Sequence, residues 1–171
     1  TLYLEDKDNL LPSPDLVKIM QDNRISIIAI SPTGLAAMPD VSEQLTDLKT
    51  ITVGGEACNP QVAQLWGKGR RLLNGYGPTE TTIGATLAVN WNFSEKAPLG
   101  RPLDGVQIFV LDNLMQPVAV GVSGEMYIGG VGVTRGYLNR DDLTQQSFIA
   151  NPFVDDAQDR LYKTGDLVRW L

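Results

Sequence analysis

The chain has 171 residues, with 14 Lys plus Arg against 20 Asp plus Glu, a formal net charge of −6 and no histidine. Without imidazole there is no Ser-His-Asp or Cys-His relay and no HExxH zinc site, and the one cysteine, Cys58, rules out an internal disulfide and a cysteine-rich metal site, which points to a reducing setting. The acidic balance argues against a nucleic-acid or anionic-membrane surface, since both need clustered Lys and Arg; no apolar run approaches the roughly 18 residues of a membrane span, and 43% apolar residues supply core for one domain or two small ones.

Ser13 followed by Pro14 is an N-cap with proline at the first helical position, and Leu16, Val17, Ile19 and Met20 continue at helical spacing, so a helix is expected over 14–23. Ile25, Ile27, Ile28, Ala29 and Ile30 form an almost continuous apolar, β-branched run, the pattern of a parallel strand covered on both faces, ended by Pro32. Ile51 to Val53 make a second strand running into Gly54-Gly55, Pro60 opens a helix carrying Val62, Ala63, Leu65 and Trp66, and Leu72-Leu73 make a third strand that stops at Asn74-Gly75-Tyr76-Gly77-Pro78. Strands alternating with helices specify an open, mostly parallel α/β sheet, whose ligands lie beyond the carboxyl ends of the strands. Both glycine-rich turns fall at such ends.

From Ala97 the rhythm changes. Pro98, Gly100, Pro102 and Gly105 punctuate the chain, strand-like runs follow at 106–111 and 125–128, a helix is expected over 141–148, and Tyr162 to Asp166 reads as a turn between two short strands. The expected division is an α/β portion over 1–97 and a β-rich, barrel-like portion over 98–171. Neither an internal repeat nor a low-complexity tract is present.

The densest polar cluster is Asn74 to Thr82. Gly75 and Gly77 let backbone approach a ligand closely, Thr79 offers a hydroxyl to a phosphate oxygen, Glu80 is the hard oxygen ligand that Mg²⁺ takes beside substrate phosphates, and Tyr76 presents a flat face to a planar base. The same residue types also describe a strand-ending loop in which Thr79 or Thr81 caps a helix and Glu80 is its first-turn carboxylate. Gly54-Gly55-Glu56 gains weight from lying one αβ unit earlier, at the same sheet edge. Asp166, in Thr164-Gly165-Asp166, is an ordinary turn residue or a carboxylate able to accept hydrogen bonds from ribose hydroxyls. Cys58 and the tryptophans read as packing residues, and Asp155, Asp156 and Asp159 as a solvated loop without the spacing of a calcium site.

NGYGPTETT (74–82), GEMYIGGVGVTRGYL (124–138) and LYKTGDL (161–167), in that order, closely resemble the adenylation domains of nonribosomal peptide synthetases, members of the adenylate-forming superfamily with acyl-CoA synthetases and luciferases. The resemblance implies that a carboxylate, from an amino acid or a related acid, attacks the α-phosphorus of Mg-ATP, and that the acyl group passes to a phosphopantetheine thiol on a peptidyl carrier protein domain. Carried over by position, it gives Asn74 to the adenine amino group, Tyr76 to the base, Thr79 to phosphate, Glu80 to Mg²⁺ and Asp166 to ribose. Gly54, Gly55 and Glu56 would line the adenine pocket, with Gly75 and Gly77 beside it. Ile51, Val53, Gly75, Ile83, Gly84 and Thr33 would line a substrate pocket suited to a neutral, bulky side chain. No histidine is needed, because the attacking carboxylate is already ionised.

The family's upstream phosphate loop with its lysine, the aspartate that grips an amino group, and the downstream catalytic lysine do not occur in this sequence. The chain is therefore expected to be an internal piece, inactive alone, of a cytoplasmic enzyme. An acyl-CoA or aryl-acid ligase of the same superfamily and a non-catalytic nucleotide-binding or scaffold module are the competing readings.

Overall fold

The computed structural model describes residues 1–156 and 158–171. The chain forms two compact units, Thr1–Gly75 with Leu87–Gly100, and Tyr76–Thr86 with Arg101–Leu171.

In the first unit, helix α1 (Pro14–Asp22) starts where the sequence places it, with the Ser13 side chain accepting from the Leu16 amide. Strand β1 (Ile27–Ala29), strand β2 (Thr50–Gly54) and strand β3 (Arg71–Tyr76) then run parallel and side by side, with Ile28 opposite Ile51, Thr52 opposite Leu73 and Gly54 opposite Gly75. Helix α2 (Pro32–Ala37) follows β1 and helix α3 (Pro60–Gly67) follows β2. Leu16, Met20, Leu35, Ala63 and Trp66 pack with Ile51, Val53 and Leu72 into one core. Strand β4 (Thr86–Val89) lies on the other side of β3 from β2.

Four expectations change here. Strand β1 is an edge strand, with Ile28 turned to the core and Ile27 66% exposed, so its continuous apolar run is covered on one face only. Pro32 does more than end a strand: with Ser31 accepting from the Gly34 amide, it opens α2. Third, β3 does not stop at Leu73 but continues through Asn74, Gly75 and Tyr76. Finally, β4 and the two-residue strand β5 (Arg101–Pro102) lay outside the sequence reading.

The second unit is built on a four-stranded antiparallel sheet of strands β6 (Val106–Leu111), β7 (Gly124–Gly130), β8 (Phe148–Ala150) and β9 (Arg160–Val168), in the order β6-β7-β9-β8. Helix α4 (Asp141–Ser147) leads into β8. Leu111, Tyr127 and Leu161 form one buried cluster on this sheet. The β-rich half is present, but the sheet does not close into a barrel. The expected turn at 162–166 is instead an irregularity inside the single strand β9: Glu125 pairs with Leu167 and Tyr127 with Lys163, so Thr164, Gly165 and Asp166 bulge out of the ladder.

Candidate functional site

The candidate residues fall into two groups, one in each unit. In the first unit, Asn74 is buried on β3 and its Nδ2 donates to the Pro98 carbonyl at 2.8 Å. A carbonyl only accepts, so this bond fixes which end of the amide is nitrogen and leaves Oδ1 as the acceptor on offer. Gly54 sits where a Cβ would lie 2.6 Å from the Gly75 carbonyl, so glycine is required for the two strands to approach. Gly55 adopts φ +81° in open space, and Gly75 has room for a Cβ, its nearest neighbour being 3.8 Å away. Thr33 and Glu56 meet directly: the Thr33 amide and hydroxyl both donate to Glu56 Oε2, which ties the start of α2 to the turn after β2. Ile51 and Val53 are completely enclosed in the core and present no surface.

In the second unit the chain leaves β3 at Tyr76, turns at Gly77-Pro78 and makes a 3₁₀ turn at Thr79–Thr81. No longer helix follows, and Thr81 caps nothing; it is buried, with its hydroxyl donating to the Pro78 carbonyl. A Cβ on Gly77 would strike the Ile83 carbonyl at 2.1 Å, so this glycine serves the packing of its own turn. Thr82 and Ile83 both take positive φ, 62° and 69°, a costly conformation for β-branched residues. The Thr82 hydroxyl holds that strained turn by donating to the Gly132 carbonyl. Thr79, Ile83 and Gly84 are exposed, and Ile83 is 77% so.

Two carboxylates on this unit are held by phenols. Tyr76 donates its hydroxyl to Asp166, at the crest of the β9 bulge. The bulge is itself tied down: the Asp166 amide donates to Thr164 Oγ1, that hydroxyl donates to the Met126 carbonyl, and the Gly165 amide donates to Glu125. Burial first, and then the bond to Asp166, push the Tyr76 phenol well above its ordinary range, so it is a proton donor throughout the neutral range. Glu80 Oε1 accepts from the Tyr137 hydroxyl at 2.7 Å. Tyr162 lies against the same pair, its phenol raised by burial, then by Tyr137 and by the Glu80 charge. Among the described residues, neither Glu80 nor Asp166 forms an ion pair.

Tyr137 and Tyr162 fall inside the two later motifs but carry no role in the sequence reading; the signal available was an aromatic with a polar tip in a glycine-dense stretch. No group of three His, Cys, Asp or Glu among the described residues could hold a metal, so Glu80 is a lone carboxylate ligand candidate. That donor set fits Mg²⁺, which keeps most of its coordination for water and substrate phosphates and takes one or two protein carboxylates. Cys58 is buried and burial pushes its thiol up, as a packing residue requires.

Comparison with known proteins gives a match to the AMP-binding enzymes over residues 1–138. The chain belongs to the AMP-binding enzyme family. It is 48% identical over 171 residues to a linear gramicidin synthase component from Brevibacillus parabrevis, covering all of this chain and 2% of that protein. Among solved structures, the four-domain nonribosomal peptide synthetase AB3403, bound to AMP and glycine, superposes with a TM-score of 0.85 at 30% identity, over 97% of this chain and 13% of that one. The N-terminal subdomain of NpsA from Klebsiella oxytoca shares the fold, with a TM-score of 0.78 at 24% identity, over 98% of this chain and 43% of that chain. Within the AMP-binding family the chain is of the nonribosomal peptide synthetase adenylation type, and it spans a small part of the synthetases it matches. No helix among the described residues is long and apolar enough to cross a membrane.

Proposed function

We propose that this chain is the nucleotide-handling part of an adenylation domain that activates an amino acid or related carboxylic acid with ATP in nonribosomal peptide synthesis. The reaction joins the substrate carboxylate to the α-phosphorus of ATP and releases pyrophosphate; the phosphopantetheine thiol of a peptidyl carrier domain then takes the acyl group from the acyl-adenylate, forming a thioester and releasing AMP. The observation that carries the reading is the pair of phenol-held carboxylates, Asp166 on Tyr76 and Glu80 on Tyr137, neither of them ion-paired with Lys or Arg among the described residues. A carboxylate so held keeps its charge and its remaining lone pairs for ribose hydroxyls in one case and a hard cation in the other.

Each remaining role follows from chemistry on its own unit. Asn74 Oδ1 accepts from the adenine amino group, because Pro98 has already claimed the amide nitrogen. The Tyr76 ring packs on the base, and Gly54, Gly55 and Glu56 are assigned to adenine. The Thr79 hydroxyl contacts phosphate. Glu80 would hold Mg²⁺, which when bound offsets negative charge on the phosphates. Thr33, Gly75, Ile83 and Gly84 are assigned to the acid, while Ile51 and Val53 support β2 from within the core of the first unit. ATP supply places the reaction in the cytoplasm.

The test is ATP–pyrophosphate exchange by the full adenylation protein that carries these residues. Glu80→Ala should lower the Mg²⁺-dependent rate by roughly a hundredfold or more, the scale of lost charge stabilisation at phosphorus, while residues 1–171 alone should give no exchange. An unchanged rate in Glu80→Ala would remove Glu80 from the assignment, and exchange by the isolated 171 residues would refute the expectation that they are inactive alone.

A further inference from the structure

Glu80 is held at both its backbone and its side chain by the segment that ends in Tyr137. The Thr134 amide donates to the Glu80 carbonyl at 2.8 Å, and the Tyr137 hydroxyl donates to the carboxylate. Tyr137 is anchored in turn: its amide donates to Thr144 Oγ1 at 2.9 Å on α4, and its ring meets the buried Phe148 edge-on, with centroids 5.6 Å apart. Arg160 ties the same segment by donating to the carbonyls of Thr134 and Arg135. A carboxylate on a short turn would otherwise sample several rotamers, and here its orientation is set from 57 residues downstream.

The kind of partner matters as much as its reach. An Arg or Lys at that position would bind the carboxylate more strongly but would also cancel its charge and compete with a cation. A phenol orients the carboxylate and leaves it anionic. Outer partners of this kind tune the affinity of the ligand they hold.

Resting on the reading of Glu80 given above, we propose that Tyr137 is a positioning residue for the divalent-cation site: its hydrogen bond to Glu80 Oε1 sets the orientation in which that carboxylate meets the metal accompanying ATP. Tyr137 itself touches neither metal nor nucleotide. It acts through Glu80, and Thr144 acts through Tyr137.

The experiment uses the full adenylation protein. Mn²⁺ affinity is measured by electron paramagnetic resonance in the presence of a non-reacting ATP analogue, beside the Mg²⁺ concentration that half-saturates pyrophosphate exchange. Tyr137→Phe keeps the ring on Phe148 and deletes only the hydroxyl; it should weaken Mn²⁺ binding and raise half-saturating Mg²⁺ by about tenfold, the scale of one hydrogen bond to a charged group. The KM for the carboxylic acid should stay unchanged, and most of the rate should return at high Mg²⁺. Thr144→Ala should shift both quantities in the same direction by a smaller factor, and it decides the matter if Tyr137→Phe fails to fold. In a Glu80→Ala background, Tyr137→Phe should add nothing.

Wild-type Mn²⁺ affinity and Mg²⁺ requirement in a folded Tyr137→Phe, with Glu80→Ala impaired, would overturn the positioning role while leaving the Glu80 assignment standing. Wild-type behaviour in Glu80→Ala itself would remove the metal assignment, and this proposal with it.

Discussion

At the scale of single residues, the candidate polar side chains Asn74, Glu80 and Asp166 are each held by an internal hydrogen bond. Asn74 spends its amide nitrogen on Pro98 and Tyr76 spends its hydroxyl on Asp166. Burial of the Tyr76 hydroxyl, and then its bond to Asp166, have a consequence for pH. The Tyr76 phenol is raised in the folded protein, so folding favours its protonated form; that contribution is complete below the ordinary phenol value of about 10 and fades as pH rises through the folded value. Urea denaturation should therefore show the wild type losing more stability than Tyr76→Phe between about pH 9.5 and 11.5. Equal losses in the two proteins would mean that folding does not favour the protonated Tyr76 phenol. Asn74, Glu80 and Asp166 were legible as candidates by residue type and motif; their partners Pro98, Tyr137 and Tyr76 were not, because a hydrogen bond across 24, 57 or 90 residues leaves no local periodicity.

Among the elements, glycine substitutions separate packing from function. Gly54→Ala sets a Cβ against the Gly75 carbonyl and pries β2 from β3, so it should cost about 1–3 kcal/mol of unfolding free energy. Gly75→Ala meets nothing closer than 3.8 Å, so it should melt like the wild type and alter acid or nucleotide affinity instead. A Gly75→Ala protein as unstable as Gly54→Ala would show that the residue is structural. The sequence marked helices α1 and α3 correctly because the Ser13-Pro14 cap and Pro60 at a helix start are local signals; the Ser13 cap is made, and Asn59 caps α3 ahead of Pro60. It lost α2 because Pro32 reads equally as a strand breaker and a helix starter, and a six-residue helix has too few turns to show a periodicity. It misread the β9 bulge because Thr-Gly-Asp with glycine at φ +78° has the same composition as a turn, and only pairing with β7 distinguishes the two.

For the molecule as a whole, the change of rhythm near Ala97 reflects composition, whereas the compact units reflect contacts, and the two divide the chain differently. The backbone passes between units after Gly75, after Thr86 and after Gly100, so residues 76–86 are folded with a unit whose other residues begin at Arg101. A cut at 97/98 would leave residues 98–171 without Tyr76, Glu80 and the buried Thr81 and Ala85. That piece should melt at a lower temperature than the same piece carrying 76–86 on a linker; equal melting temperatures would show that the eleven-residue segment adds nothing to the unit. For anyone recombining synthetases, the seam that looks natural in sequence would separate Glu80 from Tyr137 and Tyr76 from Asp166. A graft that keeps each carboxylate with its phenol has to carry both stretches from one parent, which makes the loop between β3 and β4 part of the inheritance of the downstream half.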